Sequence, residues 1–208
     1  MLIAVDGPAG AGKSTVARAL ARELGWAYLD TGAMYRCVGL LSLASPATPP
    51  AALARAAEIR LDGDRVLLDG RDVSVEIRTP EVSSAASRVA ADPGVREALV
   101  TEQRAIVARG DWVVEGRDIG TVVAPDAELK VFLTARGDER ARRRAAQFGG
   151  DAGAVRAEQE RRDARDATRA HSPLAPAPDA IVLDTTGLSV AKVVETIAAL
   201  ARAALARG

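Results

Sequence analysis

Short apolar runs of strand length alternate with segments of helical periodicity over most of the chain. The strand-like runs, mainly of apolar residues, lie at 2–5, 26–29, 111–114, 129–133 and 180–183. After the first run, Val16, Leu20 and Leu24 recur at the spacing of one helix face. Alternation of buried strands with helices is typical of α/β proteins with a parallel sheet. The pattern therefore predicts five parallel core strands with helices between them and a closing helix over 189–206.

The middle of the chain departs from this alternation. Helices are predicted over 33–44, 79–91 and 93–108. A proline-punctuated linker, SPATPPAA, is predicted at 45–52. Between Ile59 and Thr79, short apolar stretches, the last of them Val73 to Ile77, are separated by Asp-Gly turns. This pattern predicts a small antiparallel meander inserted into the α/β core.

A glycine-rich stretch joins the first predicted strand to the first predicted helix. Residues 7–14 read GPAGAGKS, which matches the phosphate-loop pattern G-x-x-x-x-G-K-[ST]. Glycines let successive backbone N–H groups turn towards an anion, and the helix N-terminus adds partial positive charge. Lys13 is expected to reach the β- and γ-phosphates, and the Ser14 hydroxyl to bind Mg²⁺. The alternative is a plain glycine-rich turn, which the strand and helix on either side disfavour.

Lysine is rare in this sequence, which makes Lys13 distinctive. The chain has lysines only at 13, 130 and 192, against 25 arginines, so a general use of lysine does not account for Lys13. We therefore predict an ATP-binding loop made of Gly7, Pro8, Ala9, Gly10, Ala11, Gly12, Lys13, Ser14 and Thr15.

The overall composition narrows the class of protein. A length of 208 residues suits one α/β domain, with or without small insertions. The 28 basic residues balance 28 acidic ones, so no overall charge attracts nucleic acid or a membrane surface. The single cysteine, Cys37, excludes an internal disulfide, and the single histidine, His171, is expected to be a loop residue rather than a catalytic base. Since no leader or apolar span of membrane length is seen, we expect a cytoplasmic monomer that binds neither nucleic acid nor membrane.

Polar residues at the ends of strands and helices are candidates for a ligand site. Arg36 lies one turn after the predicted helix cap at 30–32, where it either points into the cleft at the strand ends or lies on the surface. Ser87 and Arg96 flank the break between two predicted helices, either as a polar binding face or as an exposed pair. After the strand at 111–114, the sequence EGRDIG places three charged residues in a loop of the kind that binds ligands in α/β proteins.

One segment has a strong local excess of positive charge. Between 140 and 169 there are nine arginines against five acidic residues. Ion pairs along a solvated helix, such as Glu158 with Arg162, absorb part of this charge. Because FGGDAG at 148–153 interrupts the segment, we predict two short helices that close arginines over a polyphosphate.

Six stretches, in order and over nearly the whole chain, resemble bacterial cytidylate kinases. They are GPAGAGKST, LDTGAMYR, EIRTPEVSSAASRVA, VREAL, EGRDIGTVV and RDARDATRAHSPL. The resemblance implies a P-loop NTPase-type three-layer α/β fold with a five-stranded parallel sheet, a helical lid and a small antiparallel β insertion. It also implies transfer of the γ-phosphoryl of ATP, with Mg²⁺, to CMP or dCMP, which gives ADP and CDP or dCDP.

The resemblance also implies roles for individual residues. The positions that hold the acceptor phosphate are matched by Thr31, Arg36 and Arg117. The positions that face cytosine are matched by Ser87, Arg96 and Asp118. The lid positions near the sugar and phosphates are matched by Arg162, Asp166 and Arg169. The catalytic set is then Lys13, Arg117, Arg162 and Arg169, with Ser14 as the metal ligand, while Glu115 stands where some relatives carry aspartate.

The same resemblance divides a single nucleoside monophosphate kinase domain, 1–208, into parts. The core is expected to comprise 1–30, 109–140 and 171–208. The monophosphate-binding region is expected to comprise 31–108, with the insertion at about 59–78, and the lid about 141–170.

Two other functions fit part of the pattern. A GTP-dependent switch protein needs a guanine-reading N-K-x-D sequence, which this chain lacks. A kinase for a small metabolite such as shikimate shares the phosphate loop. The cytosine-facing set and the inserted meander argue against it.

Overall fold

Five strands form the central sheet, in the order β2-β6-β1-β7-β8. The structure is a computed structural model that describes residues 1–148, 152–168 and 172–206. The strands of this sheet are β1 Leu2–Asp6, β2 Ala27–Asp30, β6 Trp112–Glu115, β7 Leu129–Thr134 and β8 Ile181–Asp184. The helices are α1 Lys13–Leu24, α2 Thr31–Ala44, α3 Pro50–Ala56, α4 Pro80–Val89, α5 Pro93–Val107, α6 Gly137–Phe148, α7 Ala152–Ala167 and α8 Val190–Leu205. The predicted α/β fold with a five-stranded parallel sheet is confirmed.

Strand β1 lies at the centre of the sheet and is buried along most of its length. It pairs in parallel with β6, where Val5 is in register with Glu115, and with β7, where Asp6 is in register with Phe132. The carboxyl ends of these strands therefore lie at one edge, where ligands bind in open parallel sheets. Helices α1 and α8 pack on the sheet through the core cluster, which includes Leu20 and Ile197.

The chain forms two compact units. The first comprises Met1–Tyr28 and Arg109–Gly208, and the second comprises Leu29–Ala108. The second unit contains the predicted antiparallel insertion, a three-stranded sheet in the order β3-β4-β5. Its strands are β3 Ile59–Asp62, β4 Arg65–Leu68 and β5 Arg71–Asp72. The division into core, monophosphate-binding region and lid stays a prediction.

Two details of the predicted secondary structure are wrong. The stretch 45–52 is not linker throughout, because α3 begins at Pro50, whose fixed φ and missing N–H suit the first helical position. The stretch 73–77 is not a strand. Val73 and Ile77 are buried while Val75 is 86% exposed, and Ile77 N donates to Val73 O at 3.0 Å. A spacing of four with an exposed residue between is that of a helical turn, not of a strand face.

Helices α2 and α4 of the second unit pack at unusually close range. A Cβ placed on Gly39 of α2 would lie 2.7 Å from the backbone N of Ala86 on α4. Only a residue without a side chain allows this approach. The contact fixes the helix that carries Thr31 and Arg36 against the helix that carries Ser87.

No helix within the described residues is long and apolar enough to cross a membrane.

Candidate active site

The phosphate loop has the backbone that its glycines predict. Gly7, Gly10 and Gly12 have φ values of 142°, 78° and 93°, a region that L-residues rarely adopt. At Gly7, an added Cβ would lie 2.1 Å from the carbonyl oxygen of Leu133 on β7, so no other residue fits there. Gly12 directly precedes α1. The loop therefore has a glycine-dependent turn directly before the N-terminus of a helix, which is the arrangement that binds phosphate.

Side chains from outside the loop bind its backbone carbonyls. Arg140 Nη1 donates to Ala9 O at 3.0 Å, and Arg143 Nη1 donates to Ala11 O at 3.5 Å. Arg143 also donates to Thr185, at 2.9 Å to Oγ1 and 2.7 Å to the carbonyl oxygen. Both arginines belong to α6, in the segment predicted to close over a polyphosphate. In this structure they bind α6 to the phosphate loop, and closure over a polyphosphate stays a prediction.

Helix α7 also contacts the phosphate loop and its neighbours, through two carboxylates. Asp163 Oδ1 accepts from Ala9 N at 3.1 Å, and Asp163 Oδ2 pairs with Arg140. The Arg117 guanidinium lies 3.4 Å from Asp166 Oδ2 and 4.0 Å from Asp163 Oδ1, and its Nη1 donates to Gly7 O at 2.7 Å. Since the Arg117 side chain is only 16% exposed, its charge is held close to the first glycine of the loop.

A buried carboxylate fixes the segment that carries Arg117 and Asp118. Asp6 Oδ1 accepts from Ile119 N at 2.9 Å, and Asp6 Oδ2 accepts from Gly120 N at 2.8 Å. Burial raises the pKa of Asp6 to about 6, with Asp118 adding to the shift, while the two backbone hydrogen bonds and Lys13 oppose it. Asp6 therefore keeps a negative charge near neutral pH at a cost in free energy, directly before the phosphate loop.

Glu115, one of the three charged residues of the predicted ligand-binding loop, is bound by a tyrosine. It is 3% exposed, and its Oε1 accepts from the Tyr28 hydroxyl at 2.6 Å. The guanidinium carbon of Arg18 lies 5.3 Å from the Tyr28 ring centroid, within the range of a cation–π contact. Glu115 thus has a structural partner at the end of β6.

In the second unit, the residues matched to the acceptor phosphate lie at the start of α2. Asp30 caps this helix by accepting from Ala33 N at 3.0 Å, and Thr31 is buried. The Nε atom of Arg36 is buried, and within the described part of the chain no hydrogen-bond acceptor reaches it. A buried guanidinium N–H needs an acceptor, so this group is suited to an anion. The Arg36 side chain as a whole is half-buried, and its role at the acceptor phosphate stays a prediction.

The residues matched to the cytosine-facing positions are buried. Ser87 is 2% exposed and Arg96 is 6% exposed, so they are not the exposed pair of the second alternative. The guanidinium carbon of Arg96 lies 5.9 Å from the ring centroid of Tyr35. Asp92 caps α5 by accepting from Gly94 N at 2.8 Å, which sets the helix start from which Arg96 projects. A buried hydroxyl and a buried guanidinium provide a polar surface of defined geometry.

Several predicted residues lie outside the description. Arg169 and His171 are outside the described residues, as is the glycine-rich turn at 149–151, and the side chain of Arg162 is not described. Their predicted roles stay predictions. The described part of the lid segment consists of α6 and α7, the two helices that the glycine interruption predicted.

Sequence reasoning missed residues that act through tertiary contacts. Asp163 and Thr185 come from segments distant in sequence from the phosphate loop that they touch, and no local pattern marks them. Asp6 had a usable signal, because a carboxylate that ends an apolar strand is costly to bury without partners.

The fold and this loop define a class of protein, the P-loop kinases. The family model described as cytidylate kinase matches residues 3–203. Cytidylate kinase from Solibacter usitatus is 48% identical, and the alignment covers 100% of this chain and 95% of the relative. Cytidylate kinase from Pelotomaculum thermopropionicum is 50% identical, with 95% and 94% covered. The chain therefore belongs to the cytidylate kinase family.

Solved structures of low identity share the fold. A gluconokinase from Sinorhizobium meliloti superimposes with a TM-score of 0.53 at 18% identity, covering 97% of this chain and 92% of that one. A shikimate kinase from Bacteroides thetaiotaomicron gives a TM-score of 0.51 at 13% identity, with 97% and 98% covered. At this level of identity the likeness concerns the fold alone.

Proposed function

We propose that this protein transfers the γ-phosphoryl of ATP to CMP or dCMP. The observation that carries the proposal is membership of the cytidylate kinase family over residues 3–203, in a chain whose phosphate loop has the backbone of a nucleotide cradle. Phosphoryl transfer needs little covalent chemistry from the protein. Catalysis consists mainly of positioning the substrates and neutralising their charge. The residues of the phosphate loop and the arginines predicted at the site are suited to that task.

In the first unit, the phosphate loop from Gly7 to Thr15 holds the phosphates of ATP. Lys13 neutralises charge on the transferred phosphoryl, and Arg117 stabilises it from the neighbouring loop. Arg162, Asp166 and Arg169 act in the lid, near the sugar and phosphates.

Mg²⁺ is the metal that the donor set fits. Within the described residues no group of three or more His, Cys, Asp or Glu is placed to hold a metal ion, and Ser14 offers a hydroxyl oxygen in the first turn of α1. Magnesium typically takes few protein ligands and completes its shell with phosphate oxygens and water. Ser14 would be its protein ligand, and the ion supplies neutralisation of phosphate charge when bound.

In the second unit, Thr31 and Arg36 hold the acceptor phosphate, and Ser87 and Arg96 read the base. In the first unit, Asp118 is the residue matched to a cytosine-facing position. Cytosine offers acceptors at N3 and O2 and a donor at N4, whereas uracil offers a donor at N3 and an acceptor at O4. Arginine only donates, so Arg96 suits the cytosine edge and meets an N–H with uracil. The carboxylate of Asp118 accepts from the N4 amino group.

A coupled assay with CMP, dCMP, UMP, AMP and shikimate as acceptors tests the function. We expect the highest kcat/KM with CMP and dCMP. The Arg96→Met variant tests base reading, because kcat/KM should fall far more for CMP than for UMP. Sites of this kind discriminate by up to about 10⁴-fold. Arg88→Met is the control, since Arg88 is an exposed arginine of α4. An unchanged ratio of CMP to UMP in Arg96→Met would remove Arg96 from the base-reading residues.

The setting of this reaction is part of the proposal. With balanced charge, the protein is expected to act on free nucleotides in the cytoplasm, as a monomer that binds neither nucleic acid nor membrane.

A further inference from the structure

The loop after β6 is held to the end of β1 by successive hydrogen bonds. Gly116 N donates to Val5 O at 3.1 Å, and Ile119 N and Gly120 N donate to the two oxygens of Asp6 at 2.9 and 2.8 Å. Two of the three bonds therefore depend on a single side chain. That side chain belongs to a residue that is 6% exposed, so water does not substitute for it readily.

A carboxylate is the side chain that this geometry requires. Each of its two oxygens accepts a hydrogen bond, so it receives two adjacent backbone N–H groups at once. An asparagine at the same place has one acceptor oxygen, and its amide nitrogen would set N–H against one of the backbone N–H groups. Leaving a buried donor unpaired is unfavourable, and a shift of the loop relieves that cost.

The residues between these hydrogen bonds are the ones proposed to bind the acceptor nucleotide. Arg117 and Asp118 lie between Gly116 and Ile119. Because Gly116 and Ile119 are bound to β1, the backbone positions of Arg117 and Asp118 are set as well. Arg117 adds a bond of its own to Gly7 O at 2.7 Å, and the backbone of Asp118 lies directly before the two N–H groups that Asp6 binds. A displacement of about 1 Å in a positioning element is enough to change rates by about 10²-fold.

We propose that Asp6 is a positioning residue for the acceptor nucleotide, because it fixes the loop from which Arg117 and Asp118 reach the acceptor. This inference rests on the proposed function, since it takes the acceptor to be CMP or dCMP. Asp6 touches no substrate in this role and acts through the backbone of Ile119 and Gly120.

Steady-state kinetics of Asp6→Asn test the proposal through separate KM values for the two substrates. The KM for CMP should rise about tenfold or more while the KM for ATP changes less than about threefold, as expected when the acceptor loop moves and the phosphate loop does not. A merely structural role would raise both KM values together, or lower the amount of active enzyme and change neither. Asp126→Asn is the matched control, because Asp126 is an exposed carboxylate after the same loop, and it should leave both KM values unchanged.

A second variant keeps the test decisive if Asp6→Asn does not fold. A Cβ on Gly120 would lie 3.1 Å from Cδ of Lys130 and 3.5 Å from Oδ2 of Asp6, so Gly120→Ala presses on the same anchor from the other side. It should raise the KM for CMP selectively as well. If wild-type enzyme does not phosphorylate CMP, the proposed function and this inference both fail. If wild-type enzyme does so but the variants keep its KM for CMP, or raise both KM values equally, only the inference is overturned.

Discussion

The free energy of unfolding should depend on pH through Asp6 in a direction opposite to that of an ordinary paired carboxylate. Burial raises the pKa of Asp6 from the ordinary 3.8 to about 6 in the folded protein. Between these values the folded state holds the proton and the unfolded state has released it. The folded state therefore binds more protons, and stability falls as pH rises through this window.

The size of the effect follows from the two pKa values. A shift of about two units corresponds to about 3 kcal/mol in total. About 2 kcal/mol of this lies between pH 4.5 and 7.5, because part of the window is below pH 4.5. Three other charged groups are near. Asp118 adds to the shift and Lys13 opposes it, while the Lys130 ammonium is bound by Asp179 at 2.8 Å.

Denaturant unfolding of wild type and Asp6→Asn across this pH range measures the effect as a difference, so that the other titrating groups cancel. The stability of wild type relative to the variant should fall by about 2 kcal/mol from pH 4.5 to 7.5, or about 4–8 °C in Tm. Asp72→Asn is the control. Its pKa is lowered to about 2 by Ser74 and Arg65, so its difference curve should be flat in this range. A flat curve for Asp6→Asn, or one of opposite slope, would refute the reasoning.

Three further outcomes are expected. Lys13→Ala should abolish transfer without lowering Tm, because Lys13 acts on the transferred phosphoryl, and turnover above about a tenth of wild type in the coupled assay would contradict a contribution of several kcal/mol. Gly39→Ala should destabilise the protein by about 1–3 kcal/mol in denaturant unfolding, since its Cβ would lie 2.7 Å from backbone on α4; the control Gly137→Ala, with 4.0 Å of room, should change stability by less than about 0.5 kcal/mol. Backbone amides of α6 and α7 should exchange hydrogen more slowly with a bisubstrate analogue bound, and equal exchange in both states would rule out a closing lid.

Most of the fold could be predicted from local patterns. The strands β1, β6 and β7 consist mainly of apolar residues, and such runs have few alternatives in a chain in which strands alternate with helices. The stretch from Val73 to Ile77 was misread because spacings of two and four coincide there, and only the exposure of Val75 distinguishes them. That exposure is set by tertiary packing, which a single sequence does not show.

The candidate site was predictable where one short motif contains both the functional side chains and the glycines that determine the backbone conformation. The phosphate loop is such a case, since its glycines, Lys13 and Ser14 are contiguous. The arginines of α6 were singled out by their number, but the partners of Arg140 and Arg143 are carbonyls of the phosphate loop at Ala9 and Ala11. Charge counting does not distinguish an arginine that binds backbone from one that awaits phosphate.

The destination of the γ-phosphoryl tests the central claim most directly. Enzyme incubated with Mg²⁺, CMP and ATP labelled in the γ-phosphoryl should give CDP labelled in its β-phosphoryl, with one ADP formed for each CDP. Lys13→Ala is the matched control and should leave the label in ATP. Label recovered as inorganic phosphate, or on an acceptor other than CMP or dCMP under the same conditions, would contradict the proposed function.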